Sequence, residues 1–122
     1  MSTVFGFEKL RVWQRARSFV ADVYGVVTDF PDYEKFGLST QLRRASISIA
    51  SNIAEGANRS GLKDKQRFYE LAYGSLMEVV NQLVIAYDLG YLKQDSYEKL
   101  RDDAYTIASL ISGLRRSATP NS

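Results

Sequence analysis

Apolar residues along this chain recur at intervals of three and four, the period of a helix buried along one side. The first run is Trp13, Ala16, Val20, Val23, Val27 and Phe30, a strict 3-4-3-4-3 alternation. It stops where Pro31 pushes Phe30 out of the α region. A second run follows Gly37 as Leu38, Leu42, Ala45, Ile49, Asn52 and Gly56. Within it Ser46-Ile47-Ser48-Ile49 alternates as a strand would, but the helical spacing on both sides outweighs four residues. Asn58 to Gly61 is a turn cluster. The third run carries Phe68, Ala72, Ser75, Val79 and Ala86 on one face, and Tyr69, Tyr73, Leu76, Val80, Leu83 and Tyr87 on another. Gly90 is a natural stop for it, and Asp95 with Glu98 reads as a capping box for the last helix. That helix carries Tyr97, Leu100, Ala104, Ile107, Ile111 and Leu114. The pattern predicts an all-α fold, an antiparallel up-and-down four-helix bundle forming one domain over residues 1–122. Its helices fall at about 7–29, 38–58, 62–89 and 95–116, with a fraying tail from Ser117 to Ser122.

The third helix has more apolar surface than one small bundle covers. From Val79 to Leu89 only Asn81, Gln82 and Asp88 are strongly polar, and Ile47, Ala50, Ala54 and Ala57 give the second helix an additional apolar stripe. A central helix in a tight bundle is one explanation, and self-association is the other. Self-association is the expectation, with Tyr69, Tyr73, Val80 and Tyr87 as the candidate oligomer interface.

Composition narrows the chemistry. The chain has no Cys and no His, which removes disulfides, thiol nucleophiles, imidazole bases and His-ligated metals. No catalytic residue, metal or cofactor is therefore assigned. No segment has the ~20 apolar residues of a membrane span. The longest uncharged stretch is only Ala104 to Leu114, and Met1 to Trp13 lacks an apolar signal core. No membrane partner is expected, and the expected location is the cytoplasm.

Polar motif residues have two readings. Glu55 and Glu78 are carboxylates on neighbouring helices, a pairing that can serve acid–base work or a divalent cation. Arg44, Ser48, Ser51 and Glu55 also form one stripe beside Asn52, and Arg44, Ser48, Asn52, Glu55 and Glu78 read better as a polar network or interface that sets helix register without chemistry. Gly56 and Gly74 lie inside helices, where glycine costs about 1 kcal/mol against alanine, so close helix–helix approach is expected at both.

Charge is segregated although the net charge is only +2. Lys9, Arg11, Arg15 and Arg17 stand against Glu8 alone, and residues 68–90 hold only carboxylates. A second basic cluster lies at the turn between helices two and three, at Arg59, Lys63, Lys65 and Arg67. Such clusters suit phosphate contacts, and a solvated turn is the plainer reading. The candidate nucleic-acid-binding residues are Arg11, Arg15, Arg17, Arg59, Lys63, Lys65 and Arg67.

The stretch from Gly37 to Gly56, with Gln41-Leu42-Arg43-Arg44-Ala45 and Ser51-Asn52-Ile53-Ala54-Glu55-Gly56, resembles the proteins encoded by intervening sequences of bacterial 23S rRNA genes. Phe7-Glu8-Lys9-Leu10, Val12-Trp13, Phe30-Pro31, Gly74-Ser75-Leu76 and Leu89-Gly90-Tyr91-Leu92 match in order, so the resemblance covers about residues 5–115. It implies a four-helix bundle that assembles as a homopentamer, without an established activity. Retroelement accessory proteins, similar in fold, pentameric and basic, suggest nucleic-acid binding by analogy. Two function classes follow: a non-catalytic oligomer binding structured RNA or DNA, or a scaffold that recruits another protein without nucleic acid.

Overall fold

Leu10 has extended backbone (φ −73°, ψ 126°), and it separates a short 3-10 turn, Gly6–Lys9, from the first helix. The helical path expected from residue 7 therefore begins in earnest only at Arg11. The structure, a computed structural model, describes residues 3–118. Among the described residues it is all-α, with no strand: α1 (Arg11–Val27), α2 (Leu38–Ala57), α3 (Leu62–Asp88) and α4 (Gln94–Ser117). The Ser46–Ile49 stretch is helical, and no helix is long and apolar enough to cross a membrane.

Local chemistry ends each element. The Thr28 hydroxyl donates to the Tyr24 carbonyl as α1 runs out ahead of Pro31. Glu34 reaches forward four residues to accept the Leu38 N–H at 3.2 Å, which serves one of the open donors at the start of α2. At the end of α3, Gly90 adopts φ +83°, the Gly90 N–H bonds the Tyr87 carbonyl, and the Tyr91 N–H bonds the Ala86 carbonyl. That pairing is a Schellman motif, which requires the left-handed conformation glycine takes without strain. Asp95 differs from expectation. α4 starts one residue before it, Lys93 is the capping position, and the Asp95 carboxylate accepts the Ser96 N–H. Helix α4 continues through Ser117, and Ala118 packs in the core. The rest of the tail expected to fray, and the first two residues, lie outside the described residues.

Each helix packs against two others: α2 against α1 and α3, and α4 against α3 and α1. Val23, Ile49, Leu76, Leu83, Ile107 and Ile111 are fully buried between them. The α4 seam is buried as its spacing predicts, at Leu100, Ala104, Ile107 and Ile111. The α1 seam is rotated by part of a turn. Val12 and Phe19 are buried, whereas Trp13 and Val20 are only half-buried. Both registers satisfy the same periodicity, and in the observed one Trp13 packs edge-on against Phe7, with ring centroids 5.0 Å apart.

The two glycines expected at close approaches behave differently. A Cβ at Gly56 would lie 2.6 Å from Tyr69 Cε1, so α2 and α3 meet tightly there. A Cβ at Gly74 would meet nothing within 4 Å, so this chain gives Gly74 no packing role.

Candidate nucleic-acid interface

The turn between α2 and α3 carries a run of four cations, and its side chains are tied to different tasks. Lys65 donates to the carbonyls of Gly56 and Ala57, at 3.2 and 3.1 Å. It thereby neutralises the negative end of α2 and is a cap as well as a surface cation. Arg59 makes an ion pair with Glu55 at 3.2 Å, and its guanidinium lies 4.7 Å from the centre of the Phe68 ring. Arg67 lies 5.6 Å from the same ring, so two guanidinium groups share one aromatic. Lys63 is exposed and has no hydrogen-bond or ion-pair partner among the described residues.

Packing brings other segments to this end. The Gly6–Lys9 turn packs on both α1 and α2, and Phe7 and Leu10 flank a depression with Ala54, Ala57 and Asn58. Lys9 and Arg11 arrive with it, both exposed. The last turn of α4 also arrives: the Gln66 side chain donates to the Arg115 carbonyl, and Arg115 lies 3.8 Å from Glu70 and over the Tyr73 ring. Arg115 and Arg116 were not among the residues the sequence singled out. The basic last turn of α4 is visible in the sequence, but its proximity to residue 66 is a tertiary fact.

The arginines of α1 do not form one patch. Arg15 borders a groove between α1 and α4 with Asp22, Lys99 and Asp103, whereas Arg17 lies over Trp13, 5.6 Å from the ring centre. A spacing of two places side chains on different flanks of a helix, so closeness in sequence overstated this cluster.

The opposite end has the opposite sign. There the Tyr33 hydroxyl lies 2.9 Å from that of Tyr91, and Tyr91 donates to Glu34 at 3.0 Å, which joins the α1–α2 and α3–α4 connections. The Tyr33 bond, then burial and Glu34, push the Tyr91 hydroxyl far above its ordinary pKa. Asp29, Asp32, Glu34, Asp88 and Asp95 outnumber Lys35 and Lys93 in these connections and the helix ends they join.

The expected polar network is only partly brought together. The Ser48 and Ser75 hydroxyls bridge α2 and α3 at 2.8 Å, and Asn52 donates back to Ser48 at 2.9 and 3.0 Å. Arg44, Glu55 and Glu78 stand outside this network on the exposed surface, because their helical positions face away from the core. Glu55 is engaged with Arg59, while Arg44 and Glu78 have no partner among the described residues. Glu55 and Glu78 thus do not form a carboxylate pair, and among the described residues no group of three or more Asp or Glu side chains could hold a metal ion.

Of the candidate interface residues, Tyr69 is in the core at 4% exposure, where burial pushes its hydroxyl pKa upward. Tyr87 stacks on Tyr97 at 4.2 Å, and Tyr73 and Val80 line a groove of about 490 Å³ beneath α4 with Arg101 and Arg116. Packing within the chain thus takes up Tyr69 and Tyr87, whereas Tyr73 and Val80 stay half-buried along an open groove.

These features define a small all-helical protein of four helices with cations collected at one end. The model of the 23S rRNA-intervening sequence protein family matches residues 8–113, and the chain belongs to that family. A crystal structure of a protein of unknown function from the S23 ribosomal protein family of Bacteroides thetaiotaomicron is similar in fold, with a TM-score of 0.80. It is 21% identical, and the match covers 86% of this chain and 95% of that one. No curated protein matches the chain.

Proposed function

We propose that this protein is a non-catalytic, self-associating four-helix bundle whose cationic end binds nucleic-acid phosphates. One observation carries the reading: the start of α1, the α2–α3 turn and the end of α4 deliver Lys and Arg to one end, while carboxylates dominate the other. An antiparallel, up-and-down course explains the convergence. Gln41 near the start of α2 bonds Gln82 late in α3, Ser48 bonds Ser75 midway, and Lys65 early in α3 bonds the last residues of α2. A ring of copies, five by the resemblance, would multiply the charge on one face. Phosphate contact through such a face carries little sequence information, so structured RNA and duplex DNA are both ligands.

The test is fluorescence anisotropy with a labelled structured RNA and a duplex DNA across a salt series. Log affinity should fall linearly with log salt, by about 0.7 to 0.9 per phosphate contact. Changing Lys63 and Arg67 together to Ala should flatten that slope and leave helical content in place, since neither side chain caps a helix. No binding to either ligand at low salt would remove the reading.

A scaffold that recruits another protein is the second reading. It is favoured by the aromatic side chains of Tyr33 and Phe36 at the acidic end, 78% and 89% exposed.

A further inference from the structure

The outer face shared by α2 and α3 has three features that the single chain leaves unexplained. Gly74 stands in the middle of the longest helix, where glycine weakens the helix relative to alanine, and a Cβ there would meet nothing within 4 Å. Flanking it at helical spacing, Leu71 and Ile85 are 45% and 42% exposed. Arg44 on α2 and Glu78 on α3 are exposed, and neither has a partner among the described residues. Their heights along the helices agree: Gln41 bonded to Gln82 and Ser48 bonded to Ser75 bracket Arg44 and Glu78 between the same two levels.

We propose that this face receives a second copy of the chain, with Glu78 of one copy paired to Arg44 of the next and the approaching helix seated against Gly74. The inference rests on the self-association proposed above and names its surface. Equal height is what makes the pairing work. Any assembly whose symmetry axis runs along the helices brings residues of one level against residues of the same level in the neighbouring copy. Opposite unpaired charges at one level are then complementary between copies, and the apolar Leu71 and Ile85 are covered together with them. The missing side chain at position 74 lets two backbones come close, which offsets the local weakening of the helix once a neighbour is present.

Light scattering of the purified chain at micromolar concentration, with circular dichroism to verify folding, separates the outcomes. The native chain should have several times the 13.8 kDa mass of one copy. Arg44→Glu and Glu78→Arg should each lower the mass with helical content unchanged, and the double reversal should restore it. Gly74→Leu, on a face with open space, should also dissociate the assembly without loss of helix. A native chain of 13.8 kDa would overturn the self-association reading itself. A native oligomer indifferent to either reversal or to Gly74→Leu, or a double reversal that fails to restore the mass, would overturn this interface and leave self-association standing.

Discussion

Gly56 and Gly74 have the same residue type and the same helical setting, and they separate cleanly by what surrounds them. Beside Gly56 the Tyr69 ring is held in the core, so an added methyl at 2.6 Å cannot be relieved by a simple rotation into solvent. Gly56→Ala should therefore lower stability by about 1–3 kcal/mol, as overpacking does, despite alanine's better helix propensity. Chemical denaturation with an unchanged slope would check it, and a stabilised variant would show that the α2–α3 approach is looser than described. Titration at the residue scale acts in one direction. Tyr69 is held protonated by burial, Tyr91 by Tyr33 first and then burial and Glu34, and Lys99 by Asp103 and Asp22. All three folded-state pKa values are raised, so the folded chain binds these protons more tightly than the unfolded chain. Their stabilisation is complete below the unfolded values, about 10 for Tyr and 10.4 for Lys, and is lost as pH climbs through the folded ones. Stability measured by denaturant titration should fall above about pH 10, and Tyr69→Phe should blunt that fall without removing it.

At the scale of elements, α2 and α3 are joined by a polar bridge as well as by apolar packing. Ser48→Ala or Ser75→Ala should each cost about 0.5–1.5 kcal/mol, and the double variant less than the sum, because both changes remove the same hydrogen bond. Strict additivity in that double-mutant cycle would deny the bridge. Lys65→Ala should cost about 1 kcal/mol through the lost cap on α2, which makes it unsuitable as a purely surface variant. The four helices themselves were legible in the sequence, since a 3-4 spacing has few other interpretations and Pro31, Asn58–Gly61 and Gly90 punctuate it. The exact face was not legible on α1. Val12 and Phe19 compete with Trp13 and Val20 for the same stripe, and periodicity alone does not separate the two faces; in the fold Val12 and Phe19 are buried while Trp13 packs on Phe7. The capping residue of α4 was missed for a related reason, because Asp95 is chemically suited to a cap while the chain turns into the helix one residue earlier.

For the whole molecule, sequence exposed the charge at the α2–α3 turn but not the composition of the end to which it belongs. Lys9 and Arg11 come from before the turn and Arg115 and Arg116 from long after it, and only the packing of the Gly6–Lys9 turn on α2 and of Gln66 against Arg115 unites them. The same folding sends Arg15 and Arg17 to different flanks of α1, which thins the cluster that the sequence places at residues 9–17. What results is a molecule with cations at one end and carboxylates at the other, and in the function proposed above this arrangement orients an approaching polyanion before contact. The most direct test of that orientation is lysine-acetylation footprinting, read by mass spectrometry, on the protein with and without a saturating structured RNA at low salt. Lys9 and Lys63 at the cationic end should be protected by the RNA, while Lys35 and Lys93 at the acidic end should be modified as in the free protein. Equal protection at both ends, or protection of Lys35 and Lys93 alone, would contradict the account.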